Sequence, residues 1–268
     1  MNKAEEKSYE AIMTHLVNAK RATGMEEIIT AMTPQSPDET RTTRTYPHKM
    51  DSIYQAYARG FHFTAFGKQK YVLTPEEINQ FLPLTIPHEN YIPKNHFDPP
   101  YPRKTGYFVS TLIRNSYTAG HNDFILNVSL LQPLDCLLNR MEGTSKNPVR
   151  VTIIGNVGEC LARGRGTYLH CHIQGDIGRG AGRRLRNSAL IVDGDGGEQL
   201  GDMAYNSTFQ FQSSNIYPGW EAKKCTFRLP RPYPEMRLNQ TDRSWQNRAI
   251  LLHPDGTEEV LFDYREKK

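Results

Sequence analysis

Glycine in this chain is ordered by spacing. Twelve of the 20 glycines fall between Gly155 and Gly201. Gly155-Asn156-Val157-Gly158 is followed 20 residues later by Gly175-Asp176-Ile177-Gly178, and after 19 more by Gly194-Asp195-Gly196-Gly197. Ala162, Gly182 and Gly201 keep the step, as do Leu185 and Ala204, and Asn187-Ser188 and Asn206-Ser207. Cys225-Thr226 stands one further 19-residue step along. The segments between the glycine turns, residues 168–173, 189–192 and 208–211, read as strands. A short repeat cannot bury its own inner face, so it stacks in register on its neighbours. Glycine serves such a stack where φ is positive or where stacked backbones approach closely. Fixed spacing with apolar strands between the glycines argues against a flexible linker and for a parallel β-solenoid.

The rest of the chain reads differently. Residues 3–22 carry apolar residues on one helical face, and a second helix is expected at 25–32. Residues 33–49 hold three prolines and six Ser/Thr and read as a loop. A helix is expected at 50–59, an extended aromatic segment at 61–73, and a helix to Phe81 opened by the capping box Thr74-Pro75-Glu76-Glu77. Six prolines between residues 83 and 102 read as an extended connection. Residues 107–113 fit strand or helix, and 124–128 and 149–154 read as strands. Near the C-terminus, apolar segments at 249–252 and 260–264 flank the turn His253-Pro254-Asp255-Gly256, which predicts a hairpin.

The expected class is α+β, with a right-handed parallel β-helix after a helical N-terminal region. The predicted boundaries are a mostly helical region at 1–82, a Pro-rich connection at 83–106, the solenoid at 107–230 and a C-terminal extension with the hairpin at 231–268. The hairpin would close an otherwise open strand edge.

The glycine pattern, followed by Asn-Ser and an apolar strand, resembles the GxGxG β-helix domain. That domain ends the large subunit of glutamate synthase and forms much of one of the subunits of formylmethanofuran dehydrogenase. The likeness covers roughly residues 149–212, with Gly155, Gly158, Gly175, Gly178, Gly182, Gly194, Gly197 and Gly201 at motif positions. Ala162 replaces the third glycine of the first coil, and Leu185-Arg186-Asn187-Ser188 and Ala204-Tyr205-Asn206-Ser207 replace the family's Met-Gly-Gly. The chain therefore looks like a divergent, stand-alone member. The resemblance implies a scaffold, because the family's cofactor sites lie on other domains, and no catalytic residue carries over.

Composition narrows the rest. Charged residues are 23%, hydrophobic residues 37%, and the net charge is +4. No apolar run reaches the ~20 residues of a membrane span, and the charged N-terminus has no signal-peptide core, so a cytoplasmic, membrane-free protein is expected. Cys136, Cys160, Cys171 and Cys225 are scattered, without a CxxC, and read as reduced thiols. No cofactor is implied. Gly178-Arg179-Gly180-Ala181-Gly182-Arg183 superficially matches a dinucleotide fingerprint, but a strand follows it where that motif needs a helix.

Two clusters could carry chemistry. His170 and His172 share one strand face, a weak metal-site candidate, because the stacked equivalents (Leu190 or Ile191, Phe209 or Phe211) supply no third ligand. Arg163, Arg165, Arg179, Arg183, Arg184 and Arg186 fall within 24 residues. The next coil reverses sign with Asp193, Asp195, Glu198 and Asp202. Either the strips pair between coils or at an interface, or the Arg strip binds phosphate, RNA or DNA. Three functions follow as expectations. The first is a non-catalytic scaffold that binds a protein partner or self-associates. The second is a nucleic-acid or polyanion binder. The third is an enzyme using His96, His170 or His172 between the Pro-rich loop and the solenoid.

Overall fold

The computed structural model describes residues 48–58, 71–86, 100–212, 221–230 and 246–263. All belong to one compact unit, Tyr46–Lys268. The helices expected at 3–22 and 25–32, residues 33–47 and 61–70, and residues 87–99 with His96 lie outside the described residues.

Three helices precede the sheet. Helix α1 (His48–Ala58) buries Met50, Ile53 and Tyr57, which recur on one helical face. Helix α2 (Pro75–Phe81) starts as its sequence requires. Thr74 Oγ1 accepts from the Glu77 amide at 3.2 Å, and Glu77 Oε2 accepts from the Thr74 amide at 2.8 Å. A 3-10 turn (Leu82–Thr85) follows. Helix α3 (Tyr101–Thr118) corrects one expectation and resolves another. Residues 101–106, read as extended connection, are its first turns, and residues 107–113, open between strand and helix, are its centre. Two of its hydroxyls are satisfied within the helix, Ser110 Oγ donating to Gly106 O at 2.6 Å and Thr111 Oγ1 to Tyr107 O at 3.1 Å, and Thr105 Oγ1 shares a hydrogen bond with the Tyr57 hydroxyl of α1 at 2.7 Å.

The solenoid is one eight-stranded sheet in chain order: β1 (Asp123–Asn127), β2 (Val149–Ile154), β3 (Leu169–Gln174), β4 (Ala189–Val192), β5 (Thr208–Phe211), β6 (Thr226–Leu229), β7 (Arg248–Leu252) and β8 (Glu258–Asp263). Strands β1 to β7 pair in parallel, and β8 returns antiparallel. The parallel ladder therefore runs from Asp123 to Leu252, wider than the glycine repeat alone marks. The first strand of the C-terminal hairpin is itself a rung of the stack.

Register corrects one repeat position. Thr208 pairs with Thr226, a step of 18 where 19 was expected. Side chains alternate between faces, so a one-residue slip would turn Phe227 out of the core. In the observed register Phe209 stacks on Phe227 at 5.3 Å between ring centroids.

The inner face explains why unequal coils stack. One core column reads Phe124, Val151, Cys171, Leu190, Phe209, Phe227 and Ala249. A facing corner column reads Leu138, Ala162, Gly182 and Gly201, all with positive φ. The glycine corners leave room for the largest ring of the column: a Cβ added at Gly201 would lie 2.7 Å from the Phe209 ring, and one at Gly182 2.8 Å from it. Glycine at these corners and phenylalanine on the strand thus fill one space, as close packing demands.

Both edges of the sheet are covered. Asn79 of α2 lies on the free edge of β1, where its amide donates to Ile125 O and its carbonyl accepts from the Asn127 amide at 2.9 Å. At the other end β8 carries a charged edge that opposes further pairing. Glu258 pairs with Arg228 at 3.2 Å and Asp263 with Arg248 at 3.3 Å. No helix among the described residues is long and apolar enough to cross a membrane.

Candidate functional site

Every coil turns through left-handed backbone, and this decides where the outward side chains point. One corner column holds Arg140, Gly164, Arg184, Met203 and Glu221, and a second holds Tyr168, Asn187, Asn206, Lys224 and Gln246, all at positive φ. Asparagine tolerates this region better than most residues, and Asn206 Nδ2 donates to Asn187 Oδ1 at 2.8 Å. The serines of the repeated Asn-Ser turn inward. Ser188 and Ser207 are buried, and their hydroxyls accept from the amides of Leu169 and Ser188 at 3.1 and 3.3 Å. Not every repeat glycine has positive φ. Gly182 and Gly201 do, as does Gly155. Gly175, Gly178, Gly194 and Gly197 instead lie where a Cβ would come within 2.5–2.6 Å of backbone in the coil before.

The six arginines do not form one strip. Arg183 pairs with Asp202 of the next coil at 3.0 Å. Arg179 reaches Glu198 at 3.9 Å and donates to Gln199 Oε1 at 3.3 Å. These two form the inter-coil charge ladder. Arg163 lies apart, its guanidinium 3.5 Å from Cys160 Sγ. Arg165, Arg184 and Arg186 are exposed and have no carboxylate within ion-pair distance among the described residues.

Those last three converge. With Met203, Ala204, Tyr205, Glu221 and Lys223 they line an open groove of about 430 Å³. Backbone bridges set the stacking: Arg186 pairs with Tyr205, and Tyr205 with Lys223. Four cationic side chains thus face one acidic one, Glu221. Past the corner at Asn206, a polar hollow of about 350 Å³ is lined by Asn206, Ser207, Thr208, Lys224, Thr226 and Gln246. Tyr205, 39% exposed, stands between the two, and the Lys224 ammonium lies 5.6 Å from its ring centroid.

The histidines are not brought to this site. His170 stacks on Ala189 and His172 on Ile191. The carboxylate near His172 comes from beyond the strand: His172 Nε2 lies 2.9 Å from Asp193 Oδ2, and Gln212 Nε2 donates to Asp193 Oδ1 at 3.2 Å. No group of three or more metal-ligating side chains occurs among the described residues. The cysteines are free thiols. Burial raises the thiol pKa values of Cys171 and Cys136 and pushes Cys225 up to about 11. Cys136 lies against Tyr107 of α3, and burial together with that contact pushes the Tyr107 phenol up to about 12. These thiols are poor nucleophiles at neutral pH.

Tyr205, Lys223 and Lys224 were missed in the sequence. Tyr205 stands one 19-residue step after Arg186, so the repeat itself marks it. Lys223 follows the shortened coil, where the 19-residue rule fails. Comparison with known proteins gave no match: no family model, no curated protein and no solved structure is significantly similar to this chain.

Proposed function

We propose that this chain is a non-catalytic binding protein, a GxGxG-like solenoid that holds a phosphate- or sulfate-bearing polymer in the Arg165–Arg184–Arg186–Lys223 groove. The contrast within the arginine cluster carries this reading. Arg179 and Arg183 face carboxylates of the next coil. One corner further on, the stacked positions hold Met203 and Tyr205 instead, so Arg165, Arg184 and Arg186 keep their charge directed at the groove. Guanidinium forks suit planar, bidentate recognition of phosphate-like oxyanions. Backbone hydrogen bonds from coil to coil (Arg186 N to Gly166 O, Tyr205 N to Leu185 O, Lys223 N to Ala204 O) set the spacing of the positions that carry those forks before the ligand arrives, which lowers the ordering cost of binding.

Fluorescence anisotropy with labelled polyphosphate, heparin and oligonucleotide tests the proposal. The wild type binds at low salt, with affinity falling as salt rises. The triple variant Arg165→Ala, Arg184→Ala, Arg186→Ala loses more than about tenfold in affinity, and its log–log salt slope shrinks by roughly 0.7–0.9 per phosphate contact removed. Unchanged affinity in that variant, or no binding by the wild type at low salt, overturns the proposal.

A further inference from the structure

Resting on that anion-binding reading, we infer that the ligand is a single-stranded nucleic acid, whose backbone lies in the Arg groove and one of whose bases stacks on Tyr205. Three features of the same corner point this way. The cationic groove and the polar hollow are lined by adjacent residues on either side of one ridge, with Tyr205 and Lys223 in the first and Asn206 and Lys224 in the second. An occupant of both must bend across a convex corner. Duplex DNA is stiff over roughly 150 base pairs and presents its phosphates along a convex rod, so it meets a ridge badly. A single strand is flexible and can follow the turn.

The second feature is the aromatic ring at the ridge. Tyr205 keeps 39% of its surface exposed although it sits in a well-packed coil, and the Lys224 ammonium stands over the ring at 5.6 Å. Aromatic side chains beside basic grooves are the usual platform for unstacked bases, and they are sequence-tolerant because every base has a π-face. The third feature is the hollow beyond the ridge. The carboxamides of Asn206 and Gln246 and the hydroxyls of Thr208 and Thr226 offer both donors and acceptors there. Base edges and ribose hydroxyls need this mixture, whereas a sulfate or phosphate needs donors only. Polyphosphate has no ring for Tyr205, and a duplex keeps its bases in the stack.

The test compares a labelled single-stranded RNA or DNA of roughly 12 nucleotides, within the usual range for single-strand sites, with its duplex, polyphosphate and heparin. The single strand binds most tightly. Tyr205→Ala weakens it about tenfold, as loss of one stacked base does, while Tyr205→Phe retains the affinity. Polyphosphate binding falls far less than single-strand binding in Tyr205→Ala but falls strongly in Arg186→Ala with Lys223→Ala, and circular dichroism shows the variants folded. Equal binding of duplex or polyphosphate with no effect of Tyr205→Ala overturns this inference and leaves the anion groove standing. Absence of wild-type binding to any of the four overturns both.

Discussion

At the scale of single residues, the corner glycines do two physical jobs. Gly194 and Gly197 lie where a Cβ would strike the backbone of the coil before, so they set how closely coils approach. Gly201 has a φ of +68° and faces the Phe209 ring. A methyl there meets both left-handed strain and a full core, so Gly201→Ala should cost about 2–4 kcal/mol in urea unfolding. Combining it with Phe209→Leu, the residue type found one coil earlier at Leu190, should restore part of that loss. Strict additivity of the two changes would show that the corner and the ring do not share one space. This pairing was half legible. Spacing marked Gly182 and Gly201, with Ala162 in the same column, but nothing along the chain says that Phe209 fills the space they leave.

At the scale of elements, α2 was the most legible, because its start is encoded by four consecutive residues. Thr74→Ala should cost about 1 kcal/mol, as lost caps do. Glu77 adds a pH dependence. Burial raises its carboxyl pKa, but the Lys49 ammonium at 2.8 Å and the Thr74 amide outweigh this, and the net value lies below the ordinary 4.5. A carboxylate with a lowered folded-state pKa stabilises the fold above its unfolded value, and that contribution fades as pH falls through the lowered one. Acid titration of stability should therefore be steeper below about pH 4.5 in the wild type than in Glu77→Gln. Identical acid limbs would sink this assignment. Helix α3 shows the opposite case. The short apolar run at its centre, with β-branched Val109, Thr111 and Ile113 beside aromatic Tyr107 and Phe108, left strand and helix open, because a run of seven residues is too short for its period to separate them.

For the whole molecule, the solenoid depends on its covered edges as much as on its coils. Asn79 occupies one edge and β8 the other. Removing residues 246–268 should leave the outer edge of β6 unpaired, and size-exclusion chromatography with light scattering should then report association or precipitation. A stable monomer would show that the hairpin is dispensable as a cap. The sequence by itself determined the solenoid, because glycine spacing and strand alternation are local and recur in every coil. It also determined α2 and the C-terminal hairpin, whose turn residues are consecutive. Only the tertiary structure decided which arginines are matched. Arg179 and Arg183 sit in the same short run as Arg184 and Arg186, yet stacking sets the first two against Glu198 and Asp202 and the others beside Met203, Tyr205 and Lys223. The 18-residue step to β6, which carries Lys223 and Lys224 to the ridge, was hidden for the same reason. Side-chain partners across coils depend on register, and register is settled by core packing between residues far apart along the chain.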